Sequence, residues 1–266
     1  MRAILFFIIL ISTPRAVHGQ TDSLTGFRCR GVGVAMGLGY NRLIDEGLTY
    51  DRTLFSGGSF NIQLDYTISK EKFIFSTRML AHFGNAKADE GKLKTKFYQA
   101  EIALSGLWKI KQNQLFGRAG KLYAGPELSM KALVLENMDR LDNIDMLVMH
   151  ALYLKVQQQL YLGPGKLLCV RLILPIAAFV KHENLNGLAN QEMTEMRENL
   201  GSLLLRNATF EIPSHLRFQS DYIKRIAPGT DVFLQYNFSY IATTVNTPLN
   251  VYSNELLAGL RFYFKS

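Results

Sequence analysis

No stretch of this chain offers the roughly eighteen unbroken apolar residues of a membrane-spanning helix. The longest apolar run, Ala3 to Ile11, is nine residues. Cysteine is scarce: Cys29 and Cys169 are the two in 266 residues, which excludes a paired-cysteine zinc site. Four histidines, His82, His150, His182 and His215, stand without a second histidine at metal-binding spacing. There is no G-x-S-x-G nucleophile elbow. The net charge of +8 is spread rather than gathered into a compact basic stripe, so nucleic acid is not an expected partner. These absences leave no evident catalytic site and predict no cofactor and no metal.

What the chain has begins at its N-terminus. Arg2 precedes the apolar run, and Val17-His18-Gly19 offers a cleavage position, so residues 1–19 read as a signal peptide. Removing Arg2 and Arg15 lowers the formal charge from +8 to +6. An exported compartment permits disulfides. Cys29 precedes the first strand while Cys169 falls in the seventh, however, and a bridge would need the N-terminal arm, residues 20–30, to cross the lumen.

From residue 31 to 266 the dominant pattern has period two. Phe60, Ile62, Leu64, Tyr66 and Ile68 alternate with Ser59, Asn61, Gln63, Asp65 and Thr67, a strand with one apolar and one polar face. The same alternation recurs near residues 31–40, 58–68, 73–84, 96–108, 116–131, 147–162, 167–180, 204–222, 230–242 and 254–264. Pro213 interrupts the eighth run. Short connections at 69–72, 109–114, 163–166 and 223–229 alternate with long ones. An all-β, antiparallel up-and-down transmembrane barrel of about ten strands, with short periplasmic turns and long external loops, explains both alternations. Eight or twelve strands are the alternatives. A soluble sandwich has no reason to alternate its loop lengths.

Aromatic residues support the barrel. Phe73, Trp108, Phe116, Tyr222 and Phe264 fall near the short-turn ends, and Tyr40, Phe83, Tyr98 and Tyr240 near the long-loop ends. Such rings favour both membrane interfaces. The turns are basic, with Lys70, Lys72, Lys109, Lys111, Lys166, Lys224 and Arg225 against Glu71. The loop after the fifth strand is acidic, with Glu136, Asp139, Asp142 and Asp145, but lacks EF-hand spacing. Met193, Met196 and Leu200 sit at helical spacing, which predicts a short surface helix over 191–200.

The last strand ends Gly259-Leu260-Arg261-Phe262-Tyr263-Phe264. It resembles the C-terminal signal strand of Gram-negative outer-membrane barrels, and the chain as a whole resembles the small outer-membrane barrels of Bacteroidota. Lys265 and Ser266 trail the last Phe, where many such strands end. The resemblance implies a fold, a place in the outer membrane, and as partners the membrane lipids and the assembly machinery. It assigns no functional residue.

The inward positions then include Arg78, Glu101, Lys121, Glu127, Arg171, Glu211 and Arg217. In a narrow interior such charges must pair. Hairpin counting predicts a lateral row Arg78–Glu101–Lys121, with Glu101 between two cations. The Gly and Ala residues on the inward face of the first strand leave room for bulky neighbours or for a ligand chain. Three functions stay open: a structural, adhesive or secretion- and assembly-accessory barrel meeting a protein partner at its external loops; a narrow, porin-like transport pore; and a hydrolase at the rim near His82 and His182.

Overall fold

A computed structural model describes residues 29–45, 54–88, 93–137, 144–184, 208–211, 214–243 and 248–265. The sequence expectations for residues 1–28 and for the helix at 191–200 lie outside them.

The elements are β1 (Cys29–Asp45), β2 (Leu54–Ser69), β3 (Phe73–Ala88), β4 (Lys94–Leu115), β5 (Arg118–Asn137), β6 (Ile144–Gly163), β7 (Lys166–Asn184), β8 (Thr209–Glu211), β9 (Ser214–Ala227), β10 (Thr230–Thr243) and β11 (Leu249–Lys265). Each pairs antiparallel with its neighbours, and β1 pairs with both β2 and β11, which closes the sheet. β8 and β9 both pair with β7 and share one place in the wall, so the barrel has ten strands. No helix occurs among the described residues.

Closure explains the alternating pattern, because each strand has one face towards a narrow interior and one towards the outside. Val32, Val34, Met36 and Leu38 are exposed on β1, as are Leu256 and Leu260 on β11. Asn61, Gln63 and Glu101 point inward and are buried. The short connections are 70–72, 116–117, 164–165 and 228–229, all at one end of the barrel.

Two sequence expectations need correction. β4 runs on to Leu115, and the chain reverses at Phe116-Gly117 rather than over 109–114. Both turn residues have positive φ, 51° and 70°, the mirror-image turn that suits strand twist in a two-residue hairpin. The second correction is on β7. Its register with β6 shifts between Leu152 and Tyr153, so that Pro175 lies opposite Tyr153 and Ala177 opposite Leu152, with Ile176 as the extra residue. Proline cannot donate to the ladder, and a bulge is one of the few places it fits. Beyond the bulge the faces exchange: Val180, of the same parity as the exposed Leu172 and Ile176, is buried within, and Phe179 is exposed.

The strands also exceed the nine to eleven residues needed to cross a bilayer; β4 has 22 and β5 and β6 have 20 each. At the long-loop end the inward face turns apolar. Leu43, Phe55, Phe97, Leu135, Leu147 and Leu249, from six strands, belong to one buried cluster there.

The outside has two aromatic levels. Phe73 meets Trp108 at 5.2 Å and Phe83 meets Tyr98 at 6.5 Å, ring centre to ring centre. On β3 and β4 these levels stand ten residues apart. At about 3.4 Å per residue and a typical tilt of about 40°, that separation is about 25 Å along the barrel axis, the height of a lipid-facing band. Between the levels the outward residues are Phe75, Thr77, Met79 and Ala81 on β3 and Ala100, Ile102, Leu104 and Gly106 on β4, none of them charged. Arg42 and Lys87 appear on the outward face only beyond the long-loop level.

Candidate functional site in the lumen

A layer of ion pairs crosses the middle of the barrel. Arg217, on β9, reaches Glu101 on β4 and Glu127 on β5, each through a different guanidinium nitrogen. Arg78 on β3 donates to Glu101 at 2.8 Å, and its Nη2 stands 4.0 Å from Glu127. Lys155 on β6 donates to Glu127 at 2.8 Å and to Ser105 at 3.3 Å. Ser129 donates to Glu101 at 3.2 Å. Two carboxylates thus hold three cations drawn from strands on opposite sides of the lumen. Such pairs form where hydrogen bonds replace lost hydration, and they fix the wall positions relative to one another. The Arg217 guanidinium also lies 4.7 Å from the centre of the Tyr153 ring, whose hydroxyl is 2.6 Å from His215 Nδ1.

Separate pairs occupy the short-turn side. Arg261 donates to Asp65 at 2.8 Å. Both residues lie directly opposite Gly33, one on each flank of β1. A Cβ at Gly33 would fall 2.0 Å from Asp65 Oδ1, so this glycine is the gap through which the pair closes. The small face of β1 is therefore filled by its neighbours here. Arg171 donates to Asp221 at 2.6 Å and to Gln157 at 2.8 Å.

Of the seven inward charges anticipated from sequence, Arg78, Glu101, Glu127 and Arg217 meet in one cluster, and Arg171 pairs elsewhere. Glu211 lies opposite Ala178 on β7, apart from the cluster, and its Oε1 is buried without a partner. Lys121 is not beside Glu101. The real turn at Phe116-Gly117 sets Lys131 opposite Glu101 and places Lys121 opposite Gln112 and Gln159. The anticipated row therefore has Arg217, from across the lumen, in place of Lys121. Lys155, which completes the cluster, shares the inward parity of Tyr153 and Gln157 on β6, and parity does not name its partner. Asp145, expected in a solvated loop, is instead buried on β6 with His182 Nε2 at 2.9 Å.

The histidines do not assemble a nucleophile. His82 faces Glu255 at 3.5 Å, His182 faces Asp145 and His215 faces Tyr153; none of these contacts is the serine–histidine pair of a hydrolase. Cys169 is a buried free thiol. Among the described residues no group of three or more potential metal ligands comes together.

Below the ion-pair layer, towards the short turns, lies a polar cavity of about 220 Å³. It extends from Arg78 and Lys155 down to the turn residues Lys70, Gly165 and Lys166. Above the layer a second polar group, with His82, Asn237, Ser253 and Glu255, shares the interior with the apolar cluster. The lumen is thus a vestibule on one side and packed on the other.

No protein-family model and no curated protein matches the chain. Among solved structures it is similar to the translocator domain of the autotransporter NalP from Neisseria meningitidis, at 9% identity over 99% of this chain and 94% of that one, with a TM-score of 0.45. The β-domain of the Bordetella autotransporter BrkA matches at 11% identity over 88% and 99% of the two chains, with a TM-score of 0.42. Neisserial surface protein A matches at 13% identity over 88% and 97%, with a TM-score of 0.38. These are bacterial outer-membrane β-barrels, and the likeness is one of fold.

Proposed function

We propose that the protein is an integral barrel of the Gram-negative outer membrane with a sealed lumen, acting through its long external loops as a structural, adhesive or secretion- and assembly-accessory protein. The observation that carries this reading is Arg217 spanning the lumen to Glu101 and Glu127, with apolar packing beyond it and an uncharged band outside. A transport protein needs a continuous open path, and among the described residues the Arg217 layer and the apolar cluster beyond it stand across the lumen. Residues 1–19 would direct export, the part of the expected 20–30 arm that precedes β1 would lie in the periplasm, and the last strand, like those of Bacteroidota barrels, would present the chain to the assembly machinery. Membrane lipids are the partners of the outer face, and a protein partner would meet the loops.

Orientation is the test of this reading. In a background lacking both native cysteines, Lys87→Cys at the long-loop end should react with a membrane-impermeant reagent on whole cells. Phe116→Cys at the short-turn end should react only after the outer membrane is opened. The reverse pattern would overturn the orientation, and equal labelling of both would overturn the membrane reading.

A further inference from the structure

The vestibule below the ion-pair layer has an uneven electrostatic account. Eight cationic side chains line it against four carboxylates. Most of the buried cations are neutralised: Arg261 by Asp65, Arg171 by Asp221, and Arg78 and Lys155 by the central glutamates. Lys121 is not. It is 7% exposed, lines the cavity, and has no carboxylate partner among the described residues. Among the described residues its Nζ meets the ring of Tyr161, whose centre lies 5.7 Å away. An ammonium held at a cavity wall without a counter-charge favours an anion in that cavity.

Its neighbours add donors of the right kind. Gln159 lies directly opposite Lys121 across the β5–β6 pair, and Tyr123 is two residues along the same inward face. The side chains of Tyr123, Tyr161 and Gln159 line the cavity and make no side-chain hydrogen bond among the described residues. An ammonium, two phenols and an amide therefore border one cavity with donors to spare. The rim outside them carries Lys70 and Lys166, which raise the local concentration of anions at the mouth. The cavity ends at the Arg217 layer, so a long chain cannot thread it. Its volume, about 220 Å³, suits one compact group.

We propose that this vestibule binds one compact anion, a carboxylate or a phosphate group, held by Lys121 with Tyr123, Tyr161 and Gln159. The site rests on the barrel interior alone, so its failure would leave the membrane reading intact.

The test is calorimetric titration of the purified full-length protein in detergent micelles, with inorganic phosphate in one arm and glutarate in the other, at constant ionic strength. Saturable one-to-one binding is expected in at least one arm, and which arm binds identifies the group. Lys121→Gln should weaken binding by about tenfold or more, as loss of a charge-assisted contact does. Lys121→Arg should stay close to the parent, and Lys166→Gln on the exposed rim should change little. No saturable binding in either arm, or undiminished binding by Lys121→Gln, would overturn the proposal. Should Lys121→Gln fail to give the heat-modifiable gel shift of a folded barrel, the Tyr123→Phe/Tyr161→Phe double variant decides. Weakened binding supports the site, and parent-like binding overturns it.

Discussion

Arg217 is the residue on which the interior turns. It contacts carboxylates on two strands that are not its neighbours, whereas most other contacts run between adjacent strands. Arg217→Met should cost about 3–5 kcal/mol in urea-induced unfolding from lipid vesicles, because Glu101 and Glu127 stay buried with too little positive charge. Adding Glu101→Gln and Glu127→Gln to Arg217→Met should recover much of that loss, and a strictly additive series would show the three residues to be independent. Gly33 supplies a second prediction. Gly33→Ala places a methyl group where the Asp65 carboxylate stands, so it should cost about 1–3 kcal/mol by displacing Asp65 from Arg261. Asp65→Asn on that background should then cost less than it does alone. Sequence made the inward set of charges legible, because parity alone decides which residues face in. It did not make the partners legible. Arg217 and Glu101 are 116 positions apart and meet across the lumen, where hairpin counting has no reach.

At the scale of the element, alternation carries the information and irregularities erase it. Leu154, Leu172 and Leu234 lie on regular stretches and are exposed, as the alternation predicts. Replacing any one of them by Arg should cost about 2–4 kcal/mol and impair assembly, since a charge at mid-membrane cannot be hydrated. Insertion of all three variants with parent stability would refute the lipid-facing assignment. On β7 the bulge at Ile176 exchanges the faces, so Phe179→Arg should be the damaging change there. The turn at Phe116-Gly117 was illegible for a comparable reason. Phe-Gly lacks the Asn-Gly or Asp-Gly signal of a mirror-image turn, and the alternating run hides where β4 stops. The apolar cap of the lumen did leave a trace. Ala132-Leu133-Val134-Leu135 and Met146-Leu147-Val148-Met149 are apolar on both faces, which is how a strand reads when its inside is packed rather than wet.

For the whole molecule, two independent patterns, the period-two alternation and the alternating connection lengths, point to a closed barrel of about ten strands, and the strand pairing makes it ten. Neither pattern says what fills the barrel, because filling depends on which inward side chains meet, and that is set by register around the whole circumference. Among the described residues the barrel is filled by a vestibule at the short turns, the Arg217 layer, and beyond it an apolar cluster beside a polar group around Glu255. A path for ions would have to pass both upper levels. The central claim is therefore closure, and planar-bilayer recording of the purified full-length protein tests it most directly. The account predicts membrane insertion with no steady conductance in the parent, and openings that appear or become frequent once Arg217→Met loosens the middle layer. A stable, well-defined open channel in the parent would contradict it and would make transport the function to pursue.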